Sequence, residues 1–264
     1  MKSLSFDGMA ERYDETRIFD QDCFDSALDF LVKRFPPQTF RKVFEPGIGT
    51  GRIAIPLAER GYRVTGVDIS EEMLAALEDR LARSDRPLDV SCQKADLTEL
   101  PFPDGAFDLA VAVHLFHLIR DWKKAADETL RVVRPDGPVI LMHTGTGMEV
   151  PFLNDRYKAL CANQGCPIRN IGAASAGDVA DYYAGLGCRV EWVRDRWRWT
   201  SRIRLDKALA HYDSRTYSFT TIAPDDVHLK TMEMLRSELQ RRFGTLSAEI
   251  EWPSQVYLAI ILRQ

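Results

Sequence analysis

Val43-Phe44-Glu45-Pro46-Gly47-Ile48-Gly49-Thr50-Gly51-Arg52, followed by Val64-Thr65-Gly66-Val67-Asp68-Ile69, decides the fold of this chain. It reads as a short apolar strand, a glycine loop opening a helix, and a second short strand ending in an acid. Glycine has no Cβ and tolerates positive φ, so such a loop brings its backbone close to a ligand. An acid at the tip of the neighbouring parallel strand accepts hydrogen bonds from a ribose diol. Together they predict an adenosine-containing cofactor held across the carboxyl ends of a parallel sheet.

The type of cofactor follows from the details. A dinucleotide loop wants G-x-G-x-x-G, with the pyrophosphate on the helix N-terminus. Gly47 and Gly49 fit, but Arg52 holds the third position and Gly51 comes one place early. Glu45, two residues before the first glycine, would repel a pyrophosphate. It suits instead a cofactor carrying an amino group and a sulfonium. A nicotinamide enzyme is therefore disfavoured.

Outward from this core, residues 1–40 read as helices ahead of the sheet, stopped by Pro36-Pro37. Ser70, with Glu71 and Glu72 behind it, caps a helix after the second strand. Further strands are expected over residues 88–92, 107–113 and 139–143, with a helix over 121–133 between the last two. This β-α alternation specifies a doubly wound parallel α/β sheet. Beyond His143 the rhythm breaks. Helices are expected over residues 154–163, 175–186, 204–212 and 224–243, with strands over 188–200 and 256–262.

The 264 residues are 45% hydrophobic and 28% charged with a net charge of −4, which argues against a general polyanion binder. No apolar run is long enough to span a membrane, and the first residues lack the apolar stretch of a signal peptide. Five scattered cysteines without C-x-x-C or His/Cys spacing predict reduced thiols in a cytoplasm and no metal site.

Five ordered motifs resemble the class I S-adenosylmethionine-dependent methyltransferases, in their small-molecule branch, over residues 6–141. They are Tyr13-Asp14, the glycine loop, Asp68, Ala95-Asp96-Leu97, and Phe107-Asp108-Leu109 running on to His117. Arg131-Val132-Val133-Arg134-Pro135-Asp136-Gly137 is similar to that family's turn before the fifth strand, with Asp136 where the family has glycine. The resemblance implies a seven-stranded sheet whose last strand is antiparallel, helices on both faces, and a helical cap from C-terminal insertions. It implies one domain: N-terminal helices over 1–40 closing on the cofactor, a cofactor-binding core over 41–143, and a substrate cap from 144–174 and 202–252.

The resemblance also assigns roles. Glu45, Gly47, Gly49 and Gly51 would surround the methionine part of S-adenosylmethionine, and Asp68 would take both ribose hydroxyls. Ile69 and Met73 would flank the adenine, with Asp96 and the backbone of Leu97 at its edge. Val113 and His114 would lie beneath the methionine chain, Tyr13 would close over the cofactor, and Arg17 would reach its carboxylate.

Methyl transfer from a sulfonium is an in-line displacement that needs the acceptor about 3 Å from the methyl carbon and water excluded. A general base is needed only for a poorly acidic hydroxyl, a protonated amine or a carbon acid. His117 and His143 are the candidates, because imidazole accepts a proton near neutrality. Acceptor selection is expected where the resemblance weakens, with Tyr157, His211, Tyr212, Arg215 and Tyr217 as candidates for a small-molecule partner. The run Trp192-Val193-Arg194-Asp195-Arg196-Trp197-Arg198-Trp199 reads either as a strand with one apolar face or as an RNA-stacking surface. The main expectation is a methyltransferase acting on O, N or C of a small molecule. An RNA or protein methyltransferase and a non-catalytic S-adenosylmethionine-binding module are the alternatives. Nothing in the residues marks a monomer or a homodimer.

Overall fold

The computed structural model describes residues 20–145 and 150–264. Tyr13 and Arg17 lie outside the described residues. Seven strands form one sheet: β1 (Lys42–Pro46), β2 (Arg63–Asp68), β3 (Val90–Lys94), β4 (Leu109–Val113), β5 (Val139–Gly145), β6 (Arg189–Arg204) and β7 (Glu249–Leu262). Their order is β3-β2-β1-β4-β5-β7-β6. β1 to β5 pair in parallel, and β7 runs antiparallel between β5 and β6. The doubly wound sheet with a reversed last strand is thus the observed architecture.

Alternation along the strands separates the two faces. On one face Val43, Val64, Leu109, Ile140 and Leu258 pack under α1 (Gln21–Arg34), α2 (Ala54–Glu59) and α3 (Glu71–Ala82). On the other Phe44, Val67, Ala110, Leu141 and Ala259 pack under α4 (Trp122–Val132) and α6 (Ala176–Gly185). Strand β4 is buried along Leu109, Ala110, Val111 and Ala112, as a strand covered on both faces must be. Helix starts are capped as the residue types require. Asp20 accepts from the Cys23 amide at 3.0 Å to open α1, and Ser70 accepts from the Met73 amide at 3.2 Å to open α3.

A third core belongs to the cap, where α5 (Pro151–Asn163), α7 (Leu205–Asp213), α8 (Ser218–Ile222) and α9 (Asp225–Phe243) bury Leu153, Leu160, Leu209, Phe219, Leu235 and their neighbours. The cap is rooted in a two-stranded ribbon. β6 and β7 pair from Arg189 and Leu262 as far as Arg204 and Glu249, well past the end of β5. The stretch 202–252 expected as cap is therefore helical only between Leu205 and Phe243, and its two ends are paired strands. The last strand begins at Glu249, ahead of the expected residue 256. Its first half alternates exposed and buried positions and contains Pro253, so it lacks the apolar run that marks its second half. Pro253 pairs with Thr200 beyond the β5 register, on an edge where a missing N–H breaks no ladder.

The Arg/Trp run is part of a strand, β6, and two of its three tryptophans, Trp197 and Trp199, are engaged within the fold. Trp197 is 3% exposed, donates its indole N–H to Ser26 Oγ at 3.1 Å and meets Phe30 edge-on. The Trp199 indole donates to Ser201 Oγ at 2.8 Å. Arg198 pairs with Asp195, Arg202 with Glu251, and Arg196 lies over Phe30. Neither tryptophan stands outward as a stacking platform for bases.

Gly66 in β2 is a position that spacing alone did not single out. A Cβ there would sit 2.5 Å from the Ile48 side chain and 2.7 Å from the Glu45 carbonyl oxygen, which is backbone and cannot step aside. Gly66→Ala is expected to destabilise the protein by about 1–3 kcal/mol through overpacking. Urea unfolding checks this, and an unchanged midpoint would show that the loop yields without cost.

Candidate active site

The glycine loop connects β1 to α2 at the carboxyl end of the sheet, where the Ile48 amide donates to the Val67 carbonyl at 3.0 Å and ties the loop to β2. Gly47 has φ +68° and Gly49 φ +52°, values that favour glycine. A Cβ on Gly47 would lie 2.6 Å from Leu115 Cδ1, whereas a Cβ on Gly49 would meet nothing nearer than 4.0 Å. Gly47 is therefore needed for packing within the chain. Gly49 borders open space into which a ligand can come close to backbone. Gly51, at φ +80°, faces inward against Leu77.

Glu45 and Asp68 end the two adjacent strands. Glu45 is 3% exposed, and its Oε2 is buried without a hydrogen-bond partner. Burial first, and then the neighbouring Asp68 charge, push the Glu45 carboxyl well above its ordinary pKa. The Ala54 amide and Arg52 act the other way. Asp68 is held from two sides: Oδ2 accepts from the Gly49 amide at 3.1 Å and Oδ1 from the Ser70 amide at 2.9 Å. Each carboxylate oxygen has further lone pairs, so a fixed Asp68 can still receive a diol. The orphaned Glu45 oxygen needs a donor, best a cationic one.

Beside this pair Ile69 is half-buried, and Met73 and Leu97 are buried. Asp96 lies in the loop after β3, where its Oδ1 accepts from the Thr98 amide and hydroxyl, both at 2.8 Å. One oxygen thus shapes the turn, and the side chain is exposed. Ile69, Met73, Asp96 and Leu97 lie on the elements that follow β2 and β3, the neighbours of the acid tips.

Three histidines meet at the ends of β4 and β5. His114 follows Val113 with φ +47°, and its Nε2 accepts from the Thr144 amide at 3.0 Å. An amide can only donate, so Nε2 is unprotonated and the ring proton sits on Nδ1. The His114 and His143 rings lie edge to face at 5.2 Å, and His143 stacks on Tyr257 at 5.7 Å with planes 19° apart. Burial, and then the nearby His117, lower the His143 pKa to about 4. His143 is accordingly neutral at physiological pH and a weak base.

Tyr157, Tyr212 and Tyr217 lie within the core of the cap, at 0%, 0% and 3% exposure. The Tyr157 hydroxyl bonds His228 Nδ1 at 2.7 Å, and the Tyr212 hydroxyl donates to Asn154. His211 meets Tyr217 edge-on. Arg215 donates to the Ala223 carbonyl at 2.8 Å and pairs with Asp225 at 2.8 Å. These five come together as an aromatic and polar cluster that holds the cap helices to one another. Tyr257 and Thr144 were not singled out from sequence. The available signal was a polar ring interrupting the apolar run of β7 opposite His143, and it needs the β5–β7 register to be read. Among the described residues no three His, Cys, Asp or Glu side chains gather as a metal site, and no helix is long and apolar enough to cross a membrane.

Residues 44–141 match the family model described as a methyltransferase domain. The chain is 35% identical over 118 residues to the demethylmenaquinone methyltransferase of Thermus thermophilus, covering 44% of this chain and 51% of that protein. It is 26% identical over 212 residues to the 27-O-demethylrifamycin SV methyltransferase of Amycolatopsis mediterranei, covering 73% and 74%. The chain thus spans about half the length of the first curated relatives it matches. In fold it is similar to the YcgJ protein of Bacillus subtilis, with a TM-score of 0.61 at 18% identity over 90% of this chain and 99% of that one.

The low pKa of His143 has a consequence for stability. The folded ring binds fewer protons than the unfolded one between its ordinary value of 6.5 and about 4. Stability is therefore lost as the pH drops from 6.5 toward 4, by at most about 1.4 kcal/mol per pH unit from this group. His143→Phe is expected to flatten that part of the pH–stability curve. Urea unfolding from pH 7 to pH 4 checks it, and parallel curves for the two proteins would show that His143 is not the buried neutral group.

Proposed function

We propose, because residues 44–141 match a methyltransferase domain and the seven-stranded sheet has the reversed last strand that the resemblance implies, that the chain methylates a small molecule with S-adenosylmethionine. The observation that carries the reading is the buried, unpartnered Oε2 of Glu45 beside a fixed Asp68. A ligand with an ammonium at one end and a ribose diol at the other satisfies both carboxylates. A dinucleotide would bring phosphate charge against Glu45, so the residues fit the first and disfavour the second.

When bound, the sulfonium supplies an electrophilic methyl group, which leaves with the sulfur keeping the bonding pair as a neutral thioether. The chain's own residues do the remainder. Glu45 holds the ammonium, Asp68 the ribose hydroxyls, Gly47, Gly49 and Gly51 shape the loop, and Ile69, Met73, Asp96 and Leu97 line the adenine side. Val113 and His114 form the floor, with His114 fixed by Thr144. His117 and His143 stand toward the acceptor. A base with a pKa of about 4 holds a proton poorly. It therefore orients an acceptor and relays the released proton outward to bulk solvent, and it does not ionise a weakly acidic hydroxyl. The cap helices exclude water, and the acceptor's nucleophilic atom gives up its proton as the new bond to carbon forms. The RNA-stacking reading of residues 192–199 loses support at Trp197 and Trp199, whose indoles are engaged within the fold.

Calorimetric titration with S-adenosylhomocysteine tests this reading. Glu45→Gln and Asp68→Ala are each expected to weaken binding roughly 10- to 100-fold, the effect of losing a charge-assisted hydrogen bond, while NAD does not bind. Because the Glu45 pKa is raised, wild-type affinity falls as the pH drops through it, and Glu45→Gln removes that dependence. No binding of S-adenosylhomocysteine, or a preference for NAD, would sink the methyltransferase reading.

A further inference from the structure

The rings at the end of β5 continue across the sheet. His143 pairs opposite Tyr257 in the β5–β7 register, so the two point to one face. Trp192 pairs opposite Ala259, two residues along β7 on that same face, and lies 6.0 Å from Tyr257. Arg194 follows at the next position of that face, its guanidinium 4.0 Å from the Trp192 ring and 5.9 Å from Tyr257. The β-bulge between Val193 and Trp197 begins there, with Asp195 at φ +62° and its amide bonded to the Gln255 side chain. This bend ends the regular pairing at Arg194 and sets it at the rim of the row.

The row differs from the packed part of the same face. Val190, Ala259 and Ile261 belong to the core beneath α6 and Trp192 packs against its edge, whereas Tyr257 belongs to none of the three packed cores. Tyr257 and Trp192 are only half-buried, and Arg194 is exposed. Among the described residues no carboxylate pairs with Arg194, although Arg189, Arg198, Arg202 and Arg204 on the same strand all have acidic partners. A line of half-buried rings ending in a guanidinium that rests on Trp192 and has no carboxylate partner among the described residues matches a flat ligand with an anion at its far end. The near end of the line is His143, beside His114 and His117.

We propose that Tyr257, Trp192 and Arg194 form the acceptor subsite together with His143, and that the acceptor is a planar aromatic acid. This rests on the methyltransferase reading and adds the acceptor class to it. The ring system lies along Tyr257 and Trp192, its carboxylate meets Arg194, and the atom to be methylated is left at the His143 end. The cap cluster of Tyr157, Tyr212 and Tyr217 then supports the cap, and contact with the acceptor falls to the sheet.

The test uses the full chain saturated with S-adenosylhomocysteine and titrated with 6-hydroxy-2-naphthoate or its uncharged counterpart 2-naphthol. The naphthoate is expected to bind saturably and more tightly than 2-naphthol. Arg194→Gln is expected to weaken the naphthoate about tenfold, the loss of one charge-assisted contact, and to leave 2-naphthol unchanged. Tyr257→Leu is expected to weaken both ligands by about threefold or more, through loss of the ring contact. S-adenosylhomocysteine affinity in each variant reports an intact fold, and Arg194, being exposed, gives the decisive variant. A wild-type protein that binds S-adenosylhomocysteine but not the naphthoate overturns this proposal alone. So does an Arg194→Gln variant that binds the acid as tightly as wild type. A wild-type protein that fails to bind S-adenosylhomocysteine overturns the methyltransferase reading first.

Discussion

Two acids at the tips of adjacent parallel strands constrain everything around them. The Asp68 charge opposes ionisation of Glu45, and the burial of Glu45 opposes it further. The fold tolerates the pair because backbone N–H groups reach both acids, from Ala54 at the start of α2 to Glu45, and from Gly49 in the loop and Ser70 ahead of α3 to Asp68. The loop presents the Gly49 amide while taking left-handed turns at Gly47, Gly49 and Gly51. One oxygen of Glu45 still has no donor. The site is thus built with an unmet hydrogen-bonding demand, the feature on which the proposed cationic ligand group rests.

The sheet order divides the work. Strands β1, β2 and β3 place Glu45 and Asp68 and lead into Ile69, Met73, Asp96 and Leu97 on one half, whereas β5, β7 and β6 place His143, Tyr257 and Trp192 on the other. β4 joins them, and His114 at its end touches the second half through Thr144 and His143. Reversal of β7 is what sets Tyr257 opposite His143. A parallel strand in that place would reach the same end of the sheet with other residues.

The legible part of the chain was the part governed by local rules. The glycine loop, the acid at residue 68, the Ser70 cap and the buried runs of β1, β2 and β4 follow from neighbours a few residues apart, and the structure places them as read. The polar half of β7 was not legible, because its residues alternate in and out of a two-stranded ribbon and Pro253 argues locally against a strand. The residues 192–199 left two readings open in sequence. They separated only when Trp197 was seen to bond Ser26, 171 residues away in the chain.

By itself, then, the sequence determined the doubly wound core and the chemistry of its glycine loop, because φ preferences, strand alternation and capping act over short separations. Only the tertiary structure decided which aromatic residues hold the cap together and which stand at the sheet surface. Tyr157 and Tyr257 are the same residue type in apolar surroundings, yet one bonds His228 inside the cap and the other stacks on His143. Their difference lies in strand register and helix packing between distant segments, which no local pattern carries.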